Sequence, residues 1–460
     1  MLLPITSKIS RSRGIEIGGC DLVGLKNKYR TPLFIIDIAT VKKQCHEYKM
    51  AFNFPEFDTE IIYASKAFCT IAMCQLIKRE GLSIDVSTGG ELFTVLKSGF
   101  APEKIYFHGN NKSVEEIAFG LDHKIGVFIV DNFTELENLS LLAAQKNINQ
   151  KIMIRITPGI EAHTHKYIQT GTAESKFGFG ISDGIAVNAV KKACKNDSIQ
   201  LIGIHAHIGS QIFNIKAYDR LIEKMIRFIS DVNKSLGVKI KQLNIGGGLG
   251  IKYMPDDKPA EIRDLAEVVY KAVNKYSKEY GAEVEKLYLE PGRSIIGNAG
   301  TTLYEVGSIK EIPKVKNYIA IDGGMSDNIR PILYQAKYNA YIANRASYLK
   351  EIENGEVKNI KSGEMKYLSD GSDSGKTYSI VGKHCESGDV IIEEIMLPEV
   401  KLNDLILISS TGAYCYSMSS NYNGQPKCAV VAVEDGKDWL WVERQSYDDL
   451  IAKDRNLYQE

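Results

Sequence analysis

The run Ile61-Ile62-Tyr63-Ala64-Ser65-Lys66-Ala67 carries four apolar residues into a lysine, directly after Phe57-Asp58-Thr59-Glu60. Its texture is that of a buried β-strand. Period-two alternation puts Lys66 on the face of Ile62 and Ala64, pointing toward a core. Burial disfavours a charged amine. A lysine there needs an acidic partner or a covalent bond made by its neutral form. A lysine snorkelling from a strand end is the bland alternative, and it would stand if Lys66 stood alone.

Working outward, the same pattern recurs eight times. Glu60–Ala64, Leu82–Val86, Lys104–Phe107, Gly126–Val130, Lys151–Ile156, Leu201–His207, Gln242–Ile245 and Lys286–Leu289 are apolar segments. Amphipathic stretches such as Glu91–Ser98, Ser113–Phe119, Thr134–Ala144 and Tyr218–Leu236 lie between them. Eight strand–helix units over roughly 240 residues predict a (β/α)8 barrel. Lys66, Asp85, His108, Asp131, Arg155, His207, Gly246–Gly248 and Glu290 fall at or just past the strands' C-terminal ends. Those ends form the mouth where barrel active sites lie.

After about Asn298 helical periodicity fades. Strand-like runs replace it at Thr302–Ile309, Tyr318–Ile321, Tyr378–Val381, Val390–Ile395, Leu405–Ser409, Ala429–Val433 and Trp439–Arg444, predicting a mainly antiparallel β-domain. The segment before Thr31-Pro32 shows no helix period and is expected to pair with that domain. The fold class is therefore α/β, a barrel over 38–298 plus a β-domain from 1–37 and 299–460. Asn354–Lys376, polar and patternless, reads as a surface insertion.

A chain of 460 residues suits two domains. With 57 basic and 57 acidic side chains its net charge is zero, which argues against nucleic acid as a partner. No apolar stretch approaches bilayer-spanning length, and Met1-Leu2-Leu3-Pro4 opens no signal core. Eight scattered cysteines without CxxC pairs suggest reduced thiols in a cytoplasm and make a cysteine zinc site unlikely on spacing.

Three constellations carry chemistry. Gly246-Gly247-Gly248-Leu249-Gly250 follows the seventh strand, where barrel loops commonly cradle phosphate, and Ser210 is placed to donate to the same group. Glu290-Pro291-Gly292-Arg293 closes the eighth strand. A carboxylate beside a lysine and a phosphate cradle suggests pyridoxal 5′-phosphate, whose ring nitrogen needs an acid to stay protonated. A glutamate keeps the ring a strong electron sink, which suits loss of CO2. Cys385-Glu386-Ser387-Gly388-Asp389 reads as an exposed loop whose thiol can serve as an acid. His205-x-His207 and His163-x-His165 invite a metal reading, but metal-hydrolase barrels carry such a pair on the first strand, and no metal is expected.

These segments together resemble the diaminopimelate decarboxylase family of fold-type-III pyridoxal-phosphate enzymes, which is related to ornithine decarboxylase and alanine racemase. The resemblance is colinear from about residue 30 to 445. It runs through Tyr63–Ala67, Asp85–Leu92, His108–Ser113, Ala162–Thr170, Ser175–Gly178, His205–Ile212, Leu243–Tyr253, Glu290–Gly300, Asp322–Tyr334, Gly382–Asp389 and Thr411–Asn423.

By that resemblance Lys66 bonds the cofactor as a Schiff base, His207 stacks on its ring and Glu290 holds the ring nitrogen. Asp85 joins the cofactor set. Ser210, Gly247, Gly248, Gly292, Arg293 and Tyr414 bind the phosphate. Arg293, Arg330 and Tyr334 hold the substrate's distal carboxylate, with Tyr414 also at the substrate. Glu386 contacts the distal amine and Cys385 donates the proton. Cys385 and Glu386 of such enzymes reach the other subunit's site, implying a homodimer with shared sites. The implied activity is decarboxylation of meso-2,6-diaminopimelate to L-lysine and CO2, a step of lysine biosynthesis. A sister decarboxylase for ornithine, arginine or carboxynorspermidine, and a non-catalytic binding homologue, are the alternatives. The chain departs from the family's pattern in the length of Asn354–Lys376 and at Pro426-Lys427-Cys428.

Overall fold

The computed structural model describes residues 2–10, 14–160, 175–182, 184–345, 357–361, 364–367 and 375–457. Two compact units divide the chain: Lys43–Ile251 with Lys258–Ile295, and Met1–Lys42 with Lys252–Asp257 and Ile296–Glu460.

The first unit is a closed barrel of eight parallel strands: β1 (Asp58–Ala64), β2 (Ser83–Val86), β3 (Ile105–Phe107), β4 (Val127–Val130), β5 (Gln150–Thr157), β6 (Ile199–His205), β7 (Gln242–Asn244) and β8 (Lys286–Leu289). Each pairs with the next, and β8 returns to β1 with Leu289 opposite Ile61. All eight coincide with predicted apolar segments to within a few residues. Ile62, Ile129 and Met153 pack with Tyr106, Val127 and Tyr288 as a core cluster.

Local chemistry starts the helices between them. Thr88 caps Gly89–Lys97 by accepting from Glu91 N, Asn132 caps Phe133–Gln145, and Ser113 with Glu116 forms a reciprocal capping box on Val114–Asp122. The longest helices, Lys216–Leu236 and Ile262–Tyr280, each bury one apolar face, including Leu221, Ile222, Met225 and Ile229 on the former and Leu265, Val269 and Val273 on the latter.

The second unit is built on a sheet running in the order Val390–Leu397, Lys376–Val381, Lys316–Ile321, Gly300–Ile312, Leu33–Asp37, Ala429–Glu434 and Lys437–Val442. Leu405–Ile408 branches from its long central strand and pairs in turn with Ala340–Ile342. Its pairings are antiparallel except Lys316–Ile321 with Lys376–Val381 and Ala429–Glu434 with Leu33–Asp37.

Three readings change. The N-terminal segment contains a helix, Leu22–Tyr29, capped by the Asp21 carboxylate. Eight residues with only Leu22 and Leu25 buried are too few to display a period. Leu33–Asp37, buried along its whole length, is a strand that the pattern did not reveal. Within Asn354–Lys376, Val357–Lys361 and Glu364–Tyr367 pair as antiparallel strands, and Lys376 opens the next strand. The remainder of that segment lies outside the described residues.

A buried ion pair ties the loop after β3 to the first turn of the helix after β4. Lys112 Nζ lies 2.7 Å from Glu135 Oε1 and 2.9 Å from the carbonyls of Gly109 and Ile129, with both side chains 1% exposed. Removing one partner strands the other charge in the interior. Glu135→Ala is therefore expected to cost about 3–5 kcal/mol of stability. Lys112→Met with Glu135→Leu should recover most of that loss. Urea denaturation of the three proteins checks both outcomes.

Candidate active site

The site grows from the end of β1. The chain leaves the strand at Ala64 and turns at once into a single 3-10 turn, Ser65–Ala67. That turn ends the alternation, so Lys66 does not point into the core as the strand pattern predicted; it is exposed. Ala67 and Phe68 beside it are buried. Asp85 on β2 secures the turn, its Oδ1 accepting from Ser65 N at 3.0 Å.

Glu290, one residue past β8, is 8% exposed and held by three strands at once. Its Oε1 faces His108 Nε2 at 2.9 Å and accepts from Asn244 Nδ2 at 2.7 Å. Its Oε2 faces His205 Nε2 at 3.1 Å. Burial alone would push this carboxyl upward. The His108 and His205 imidazoles outweigh it and hold the group well below the usual carboxylate range. Asp85 moves the opposite way, well above its ordinary value, through burial and the nearby Glu290 charge, opposed by Lys66. When neighbouring carboxyls are driven apart in this way, the charge has one address. It is Glu290.

His207 lies two residues past β6 and keeps part of its ring open. Burial, then the Lys66 and Arg155 cations, hold it well below an ordinary imidazole. A neutral, flat ring suits stacking better than proton transfer. His205, last residue of β6, is buried and occupied with Glu290, so His205-x-His207 is divided between two jobs. Ligating atoms of His108, His205 and Glu290 lie within 4.8 Å of one another. Their pairwise distances and the Asn244 amide on the same oxygen are those of a hydrogen-bonded carboxylate. His163 and His165 lie outside the described residues.

The loop after β7 comes close to its neighbours. A Cβ on Gly247 would sit 2.0 Å from Glu290 O, and one on Gly248, at φ 118°, would sit 2.3 Å from Gly209 O. Only glycine tolerates both the approach and the left-handed backbone. Gly292 is close too, though less so, a Cβ there lying 2.9 Å from that of Ala64. Arg293 Nη2 donates to Ser210 Oγ at 2.9 Å, joining the loops after β6 and β8 beside that glycine turn. Backbone amides, a hydroxyl and a guanidinium form a donor set for a phosphate. With Lys66, neutral His207 and ionised Glu290, the residues present fit pyridoxal 5′-phosphate.

The second unit holds the other predicted residues. Arg330 is buried among phenols. Its Nη1 donates to Tyr253 OH at 3.2 Å and to Tyr338 OH, and its guanidinium lies over the rings of Tyr253, Tyr334 and Tyr338. Its Nε has no hydrogen-bond partner, and among the described residues no carboxylate pairs with it. Cys385 and Glu386 are exposed. Asp389 braces their loop, accepting from Met325 N at 2.6 Å and His384 N at 2.9 Å, while Cys385 N donates to Asn423 Oδ1 at 3.0 Å. Tyr414 adopts φ 63°, a conformation a tyrosine holds only when its surroundings impose it. Asn244, Tyr253, Tyr338 and Asp389 were not singled out from the sequence, although each lies inside a quoted motif or a few residues beyond one.

A parallel barrel with a lysine, a glycine phosphate cradle and an ionised carboxylate at one mouth, followed by a β-domain, defines a pyridoxal-dependent barrel enzyme of fold type III. The family model "Pyridoxal-dependent decarboxylase, pyridoxal binding domain" matches residues 38–297. The diaminopimelate decarboxylase of Bacillus subtilis is 45% identical over 99% of this chain and 98% of its own, and that of Halalkalibacterium halodurans 43% over 98% of each. The crystal structure of the M. jannaschii diaminopimelate decarboxylase, in co-complex with L-lysine, matches with a TM-score of 0.87 at 33% identity over 99% of both chains. The chain belongs to the diaminopimelate decarboxylase family.

Gly248→Ala tests the cradle. The added methyl meets Gly209 O, and the positive φ is strained for alanine. Cofactor affinity is expected to fall by about tenfold or more, read by absorbance titration of the cofactor-free protein.

Proposed function

We propose that this protein decarboxylates meso-2,6-diaminopimelate to L-lysine and CO2 with pyridoxal 5′-phosphate, in the cytoplasm, as a homodimer. The reading rests on full-length similarity to diaminopimelate decarboxylases, and L-lysine accompanies the M. jannaschii relative. The single observation that carries the reaction type is Glu290, a buried carboxylate kept ionised by three donors.

When bound, the cofactor supplies the electron sink for the pair left on Cα as CO2 departs. The rest is assigned to side chains. Lys66 anchors the cofactor covalently, and Asp85 holds the turn that presents it. Glu290, ionised, would accept a hydrogen bond from the protonated ring nitrogen and so keep the proton there, and His207 would cover a ring face. Ser210, Gly247, Gly248, Gly292, Arg293 and Tyr414 hold the phosphate. Apart from Tyr414, these residues fall within the barrel, 38–298, whereas Tyr414, Arg330, Tyr334, Cys385 and Glu386 belong to the β-domain of 1–37 and 299–460. Arg330 and Tyr334, with Arg293 and Tyr414, take the distal carboxylate, and Glu386 takes the distal ammonium. Cys385, an exposed thiol, delivers a proton to Cα of the partner subunit's substrate.

Selectivity follows from charge. Ornithine, arginine and lysine bring no distal carboxylate, so they leave the buried Arg330 guanidinium without an anion. Arg330→Ala is expected to lower kcat/KM for diaminopimelate by about 2–4 kcal/mol of transition-state stabilisation. The check is CO2 release measured beside ornithine, arginine and lysine. Wild-type turnover of those amines at a comparable rate would reject the substrate.

The homodimer has its own test. Lys66→Ala and Cys385→Ala should each be inactive alone, and mixing them under exchange conditions should restore up to about a quarter of wild-type activity. Mixtures that stay inactive while exchange is demonstrated would exclude shared sites.

A further inference from the structure

Glu290 is the carboxylate assigned above to the cofactor's ring nitrogen. In this chain it is itself a guest, held at the centre of a set of donors that no motif advertises. The three contacts come from the ends of β3, β6 and β7, at 2.9 Å from His108, 3.1 Å from His205 and 2.7 Å from Asn244. All four residues are buried. The two imidazoles meet edge to face, 5.0 Å between centroids, so each constrains the other's tilt.

We propose that His108, His205 and Asn244 are positioning residues that clamp Glu290 as a fixed, ionised acceptor for the cofactor's ring nitrogen, with both imidazoles neutral and donating from Nε2. The inference rests on the cofactor assignment above and concerns what makes that carboxylate work.

Proton placement follows from the contacts. A carboxylate oxygen already filled by the Asn244 amide accepts, so the nitrogens facing it carry hydrogen. The Nδ1 of His205 is buried and has no hydrogen-bond partner. Adding a proton there would bury both a charge and an unsatisfied donor, whereas the neutral Nε2–H tautomer leaves only a lone pair. Burial accordingly pushes His205 down to about 4, and His108 below its ordinary value, despite the facing carboxylate. The other titratable groups facing the cluster are the cations Lys66, Arg155 and Lys112, the neutral His207, and Asp85, whose carboxyl is held well above its ordinary value.

The consequence is electrostatic. Imidazolium partners would neutralise Glu290 and leave little charge for a ring nitrogen. Neutral N–H donors stabilise the anion and fix its direction without cancelling it. Removing one donor raises the Glu290 pKa, because a hydrogen bond to the charged form is lost. The acid limb of the rate profile must then move up.

His205→Leu removes the donor and His205→Gln retains an N–H that cannot ionise. For His205→Leu, the acid limb of kcat/KM and the pH transition of the cofactor's visible band are expected to rise together by about one unit or more. At neutral pH kcat/KM should fall about 10- to 100-fold. His205→Gln should restore both limbs. A His205→Leu protein whose profile and spectrum overlay wild type would overturn the clamp, as would a folded His205→Gln that rescues neither. Borohydride trapping of the cofactor on Lys66 tests the underlying assignment separately. Independently of any cofactor, 15N-histidine spectra of the cofactor-free protein should show His108 and His205, assigned through their Gln variants, as Nε2–H tautomers, with His205 still neutral at about pH 5 and His108 titrating below an ordinary imidazole. Titration of either near 6.5 would overturn the proposal even if no cofactor binds.

Discussion

An ionised carboxylate in the interior is among the most expensive things a protein can contain, and the barrel mouth is arranged around one. Glu290 is 8% exposed and keeps its charge only because three strands other than its own each supply a donor. A closed parallel sheet makes that possible. Every strand ends at the same rim, so residues nearly 200 positions apart in the chain reach one carboxyl. Open the barrel between any two strands and the donor set is incomplete.

Placing the charge on Glu290 orders its neighbours. Asp85 cannot ionise cheaply beside it and serves instead as acceptor for the turn that displays Lys66. His207 stays neutral and flat. The same economy governs the second unit. There the buried Arg330 is surrounded by phenols, which solvate a cation without neutralising it. Glu290 in one unit and Arg330 in the other are thus buried charges of opposite sign held by hydrogen bonds. Asp389 spends its charge differently, on two backbone amides that shape the Cys385 loop.

The rim was largely legible. Each strand is a short apolar run ending in a polar residue, and that texture survives in a linear sequence because the parallel barrel buries its strands on both faces. Lys66 was right as a position and wrong as an environment. Alternation was extended two residues beyond the strand, and the 3-10 turn at Ser65 rotated the side chain outward. The strand Leu33–Asp37 carries the same texture in Leu33-Phe34-Ile35-Ile36, but what it pairs with, strands near residues 300 and 430, is not written in that run. In the sequence His108 is a rim residue and His205 half of a His-x-His pair that invites a metal without requiring one. Neither spacing reveals that both face one oxygen pair.

By itself the sequence determined the eightfold strand–helix order, the glycine cradle, the residue types at each strand end and the family, since all of these are local patterns or colinear motifs. Tertiary structure alone decided which of the buried carboxyls keeps its charge, and that His108, His205 and Asn244 converge on it. The reason is that protonation and direction depend on distances between strand ends. Those distances exist only after the sheet has closed.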